Sequence, residues 1–75
     1  MEIEEYIQKY KNKSKQEIYT IITQNYSVEL IHNLTTIAVK DSDVYESIIN
    51  SIRDVNPDLC KQVHHEVMCN LGGIS

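Results

Sequence analysis

The segment "IYTIITQNYSVELIHNLTTIAV", Ile18 to Val39, decides the fold class. It is rich in β-branched residues, which have a lowered helix propensity and are favoured in strands. Its apolar side chains nevertheless keep the 3–4 spacing of a helix face, at Ile18, Ile21, Ile22, Leu30, Ile31, Leu34, Ile37 and Ala38. No Asn-Gly or Asp-Gly pair marks a hairpin turn within it. The segment therefore predicts two helices, and a hairpin over roughly residues 18–39, which would make the fold α+β, is the alternative.

Polar residues around this segment indicate where its helices begin. Ser14 is a natural N-cap and Glu17 follows three residues later, which is the pattern of a capping box. This pattern predicts a helix over about residues 15–25. Ser27 is an N-cap candidate for a second helix over about residues 28–39.

Helical spacing also extends outward in both directions. Residues 2–12 carry acids in the first turn and lysines at the end, an order that suits the helix dipole. Residues 43–54 form an amphipathic segment that Ser42 would open. Near the carboxyl end, Asn56 and Pro57 start a helix that Gly72 and Gly73 end. We expect a single all-α domain over residues 1–75, built as a compact bundle of about five short amphipathic helices.

The charge pattern limits the classes of partner. The net charge is −4, yet residues 1–15 carry three acidic and four basic groups, and the rest of the chain carries eight acidic and three basic groups. Non-specific nucleic-acid binding needs many cations on one face. A nucleic-acid-associated transcriptional regulator is therefore only an alternative, and it would use the basic strip of Lys9, Lys11, Lys13 and Lys15.

The first residues, "MEIEEYIQKY", are acidic and lack the apolar run of a signal peptide. No apolar run approaches the roughly 20 residues of a membrane span. We therefore expect no membrane partner and a cytoplasmic location, in a bacterium or in a host cell. Both cysteines are expected to be reduced thiols there.

The predicted last helix holds both cysteines and two histidines, Cys60, His64, His65 and Cys69. Each residue advances about 100° around a helix, so Cys60 and Cys69 point about 180° apart and the four cannot share one ion. Two pairs spaced four residues apart remain, and Cys60 with His64 on the apolar side are the metal candidates. A full site would need ligands from another segment or a second chain. A zinc-binding protein is thus a further alternative, and the main expectation is no metal and no cofactor.

The chain contains no glycine-rich phosphate loop and no sign of an oxyanion hole, so we expect that it is not an enzyme. Recognition through a surface remains, and apolar and tyrosine side chains are typical of interface cores. The interface candidates are Val63, Val67, Met68, Leu71, Tyr6 and Tyr10. Their alternative role is to close the core of the monomer.

We expect a small non-enzymatic protein-binding module that modulates or inhibits a partner protein and forms a homodimer. The chain is enriched in Ile, Asn, Lys and Tyr, whose codons are AT-rich. That enrichment suggests a phage or mobile-element origin.

Overall fold

The computed structural model describes residues 3–72, and this part of the chain contains five α-helices and no strand. The helices are α1 (Ile3–Gln8), α2 (Lys15–Gln24), α3 (Val28–Lys40), α4 (Ser42–Val55) and α5 (Pro57–Gly72). The protein is therefore an all-α bundle, as predicted. The alternative hairpin over residues 18–39 is wrong, because that segment forms most of α2 and all but the last residue of α3.

Side chains that bond within a helix explain why the β-branched segment is helical. The Ser14 hydroxyl accepts the Glu17 backbone N–H, and the Glu17 carboxylate accepts the Ser14 N–H, which confirms the capping box. Both bonds lower the pKa of the Glu17 carboxyl, and the bond from the Ser14 backbone N–H has the larger effect. Inside the helices, the hydroxyls of Thr20 and Thr35 each donate to the carbonyl four residues earlier, at 2.9 and 2.8 Å. The threonines thus satisfy their polar groups within the helix.

Two helix ends differ from the sequence prediction. α1 ends at Gln8 instead of near residue 12, because the chain turns after Gln8. Within this turning segment Asn12 adopts φ 61°, a left-handed conformation that asparagine tolerates. The N-cap of α4 is Asp41 and not Ser42, since the Asp41 carboxylate accepts the Val44 backbone N–H at 3.3 Å. Asn56 caps α5 as predicted, by accepting the Leu59 N–H at 3.2 Å. Gly73, the second predicted stop residue, lies outside the described residues.

The core is mostly aliphatic, and α4 lies at its centre. α4 packs against α2, α3 and α5, while α1 packs mainly against α3. In the described part of the chain, the largest side chains that are almost fully buried are Ile22, Leu34, Ile37, Ile48, Ile52, Val63 and Val67. Burial of each contributes about 1.5–3 kcal/mol relative to exposure. Outside this core, Lys15 at the start of α2 forms an ion pair with Asp54 at the end of α4.

Two tyrosines close the core beneath α1. Tyr6 and Tyr10 are both buried, and the Tyr10 hydroxyl donates to the Tyr6 hydroxyl at 3.0 Å. Burial raises the pKa of both phenols above the ordinary value. The tyrosines therefore hold α1 against α3 as neutral side chains.

Candidate functional site

The two cysteines of α5 lie in opposite environments. Cys60 is buried and Cys69 is exposed, as the helical geometry predicts. Among residues 3–72, no group of three or more His, Cys, Asp or Glu side chains is placed to hold a metal ion. The four residues that look like one ligand cluster in the sequence therefore belong to two sides of one helix.

The metal candidates Cys60 and His64 each interact with α4. The Cys60 thiol donates to the Ile49 carbonyl at 3.5 Å. His64 is exposed, contrary to its expected place on the buried side, and its Nδ1 lies 3.0 Å from the Tyr45 hydroxyl. The two rings stack with centroids 6.1 Å apart. Desolvation of the phenol is the main cause that raises the pKa of Tyr45 to about 12, and the charge of the nearby Cys60 thiolate adds to it.

The six interface candidates divide into two groups. Val63 and Val67 are completely buried, and Tyr6 and Tyr10 are buried as well. These four belong to the core of the monomer, which is the alternative role given for them above, because neighbouring helices already cover them. Met68 and Leu71 keep 39% and 41% of their surface exposed and stay available to a partner.

One groove, which we call the basic groove, runs between the end of α4 and the first half of α5, with a volume of about 320 Å³. It is mostly apolar and is lined by Ile49, Arg53, Pro57, Cys60, Lys61 and His64. Arg53 and Lys61 are two of only three cationic Lys or Arg residues after position 15. Among residues 3–72, no Asp or Glu side chain lines this groove. Its apolar floor thus has a positive rim in an otherwise acidic part of the chain.

A second groove, which we call the α3–α5 groove, has a volume of about 610 Å³ and lies between the start of α3 and the end of α5. Its lining includes Tyr26, Val28, Ile31, His65, Glu66 and Cys69. Within it, Cys69 Sγ lies 3.7 Å from His65 Nε2. In the sequence these two residues form one of the two pairs that are spaced four residues apart and could each supply two metal ligands.

Tyr26 joins the two walls of the α3–α5 groove. Its hydroxyl donates to the Glu66 carboxylate and accepts from the Gln62 amide at 3.2 Å. Desolvation of the phenol is the main cause that raises the pKa of Tyr26, and the bond to Glu66 adds to it. This network ties the middle of α5 to the connection between α2 and α3.

No family model, curated protein or solved structure matches this chain. Its function must therefore be inferred from the chemistry of its own surface. None of the helices in residues 3–72 combines the length and the apolar character needed to cross a membrane.

The lysines of the basic strip do not share one helix face. Lys9 and Lys11 follow the end of α1, and Lys13 lies in the connection to α2. Lys9 Nζ lies 5.3 Å from the centre of the Tyr6 ring, and Lys15 is paired with Asp54. Nothing in this arrangement favours the nucleic-acid alternative, which stays a prediction.

Proposed function

We propose that the protein is a small non-enzymatic protein-binding module that modulates or inhibits its partner, and that the basic groove is its docking site. The observation that carries this proposal is an apolar groove whose charged lining, within the described part of the chain, is entirely cationic, although the net charge is −4. An apolar groove with a few convergent polar groups is typical of a binding site. The phage or mobile-element origin is part of the proposal and is supported by the residue composition alone.

The chemistry of the groove indicates the kind of partner segment that fits it. Pro57 is exposed and lies with the buried Ile49 and Cys60 in the apolar part of the groove. Arg53 and Lys61 are exposed cations with no salt bridge among the described residues. A partner segment with an aliphatic or aromatic side chain next to an Asp or Glu would match both features. The guanidinium group of Arg53 is suited to bidentate binding of a carboxylate.

The groove also supports the proposal that the protein is not an enzyme. Cys60 donates its thiol proton to the Ile49 carbonyl, and the Nδ1 of His64 is engaged by Tyr45. A nucleophilic cysteine needs a base that takes its proton and a third group that orients the base. These contacts give both groups structural partners in α4 instead.

The test uses affinity capture from the native host with two charge-reversal variants. We expect Arg53→Glu and Lys61→Glu to lose a protein that the wild type retains, since each places an anion beside the partner's carboxylate. Lys13→Glu is the matched control, because it makes the same charge change at an exposed position outside the basic groove. A partner held equally by all four proteins, or no partner at all, contradicts the proposal.

Chemical-shift mapping then locates the contact. Addition of the captured partner should shift the amide signals of Ile49, Cys60 and His64 and leave those of α1 unchanged. Binding should also weaken as the salt concentration rises, because exposed charges are screened. Shifts confined to another face of the protein would assign the docking site elsewhere.

A homodimer is also part of the proposal. Met68 and Leu71 are the exposed members of the face of α5 that was predicted to form it. Met68 and Leu71 lie toward the end of α5, whereas the basic groove is lined by residues of the first half of that helix.

A further inference from the structure

The last turns of α5 present a thiol and an imidazole side by side on the surface. Cys69 and His65 are both exposed, and Cys69 Sγ lies 3.7 Å from His65 Nε2. Zinc in a tetrahedral site binds sulfur at about 2.3 Å and histidine nitrogen at about 2.0–2.1 Å, so the two ligand atoms of one ion lie about 3.6 Å apart. The pair thus has the separation that a shared zinc ion requires.

We propose that His65 and Cys69 form half of a zinc site, and that a second copy of this chain completes it. Structural zinc sites have four protein ligands, and two Cys with two His is a common set. Within residues 3–72 no third His, Cys, Asp or Glu is placed to join the pair. The same pair from a second copy, related by a twofold axis, supplies the two missing ligands with the same geometry.

The surroundings of the pair suit a surface that becomes covered. Val28 lines the same groove and is 87% exposed, so a second copy seated over the ion would remove this side chain from water. The Glu66 carboxylate in the groove wall adds negative charge near the cation. Its bond with Tyr26 ties this part of α5 to the connection between α2 and α3, so that the pair is carried on a fixed helix.

The site and the basic groove lie on different sides of α5, because Cys60 and Cys69 point about 180° apart. The inference therefore does not depend on docking at the basic groove, and it joins two copies through a different face of α5 from that of Met68 and Leu71. Each zinc-bound thiol releases its proton to the solvent on binding, and no redox change is involved.

The test is a zinc titration of protein prepared without an affinity tag and kept reduced with a phosphine. We expect uptake of one zinc ion per two chains, with conversion of a monomer to a dimer in size-exclusion chromatography with light scattering. A chelator should restore the monomer. Cobalt in place of zinc should give the intense visible bands of a tetrahedral thiolate site.

The variants Cys69→Ser and His65→Ala should each lose the cobalt bands and the zinc-dependent dimer. Both positions are exposed, so the fold should be kept, and circular dichroism checks this. His32→Ala is the matched control, since it removes an exposed histidine from α3, outside both grooves, and should bind zinc as the wild type does.

Three results would overturn the inference. Uptake of one zinc per chain without dimer formation would show a site within the monomer. Zinc binding that survives in both Cys69→Ser and His65→Ala would place the metal elsewhere. A dimer that persists in the chelator and in His65→Ala would support the homodimer but exclude zinc as its link.

Discussion

At the scale of single residues, Tyr45 joins the core to the surface. Its ring is buried beside Cys60, while its hydroxyl reaches the exposed His64. Burial favours the neutral phenol and raises its pKa to about 12, whereas the unfolded chain keeps a value near 10. Between these two values the folded protein holds a proton that the unfolded chain has lost.

This difference predicts a loss of stability at alkaline pH. The contribution of Tyr45 is complete below about pH 10 and is lost as the pH rises toward about 12, because the unfolded state binds fewer protons there. Between about pH 9 and pH 11 the free energy of unfolding of Tyr45→Phe should fall by about 1 kcal/mol less than that of the wild type. Urea unfolding at both pH values measures the difference. Equal losses in the two proteins would contradict the assigned pKa.

Single residues of α5 also show how much of the candidate site could be predicted from the sequence. Helical spacing placed Val63, Val67 and Cys60 on one side of α5, and all three are buried. Spacing describes the direction of a side chain but not which helix covers it, so it could not separate a core face from an interface. The 3.7 Å contact of His65 with Cys69 depends on side-chain rotamers, which no sequence pattern specifies.

At the scale of the helices, the N-cap of α4 in the structure differs from the one that the sequence predicts. Both Asp41 and Ser42 are residue types that cap helices, so the pattern alone could not choose between them. The N-cap is Asp41, because its carboxylate accepts the Val44 N–H, and Ser42 is the first helical residue. The negative charge of Asp41 also suits the helix N-terminus.

Two alanine variants test this assignment. Asp41→Ala should lower the free energy of unfolding by about 1 kcal/mol, which is the typical cost of removing a cap. Ser42→Ala should change it by less than about 0.5 kcal/mol, because Ser42 is exposed in the structure and alanine is a good helix former. Thermal and urea unfolding of the two proteins give both values. A larger cost for Ser42→Ala would show that the cap is the serine.

The helices themselves were largely predictable because caps and apolar spacing agreed. Ser14, Ser27 and Asn56 each cap the helix that the sequence assigned to them. α1 was predicted too long, since its apolar spacing continues to Tyr10 while the backbone leaves the helix after Gln8. Tyr10 is buried although it lies outside the helix. The apolar pattern of the sequence therefore continues past the residue at which the α-helix ends.

At the scale of the whole molecule, the helices contribute unequally to cooperativity. α4 contacts three other helices, and its buried residues lie in the middle of the core. α1 is only six residues long and packs mainly on α3. Helices with few tertiary contacts open at lower free energy than the global unfolding.

Hydrogen exchange should therefore show a gradient of protection across the fold. Backbone amides of α4 should exchange only through global unfolding, whereas those of α1 should exchange at least about tenfold faster, because local opening of α1 breaks few contacts. Exchange measured by NMR at neutral pH resolves the two helices. Equal protection of α1 and α4 would show that the bundle opens only as one unit.

The unequal burial of the two cysteines gives the molecule one natural attachment point. A maleimide dye or spin label should react with Cys69 and spare Cys60, whose sulfur lies under α4. A probe could thus be placed beside the α3–α5 groove in the unaltered chain. Because the label occupies the thiol that the proposed zinc site uses, distances between two such probes would report on pairs of copies that form without zinc.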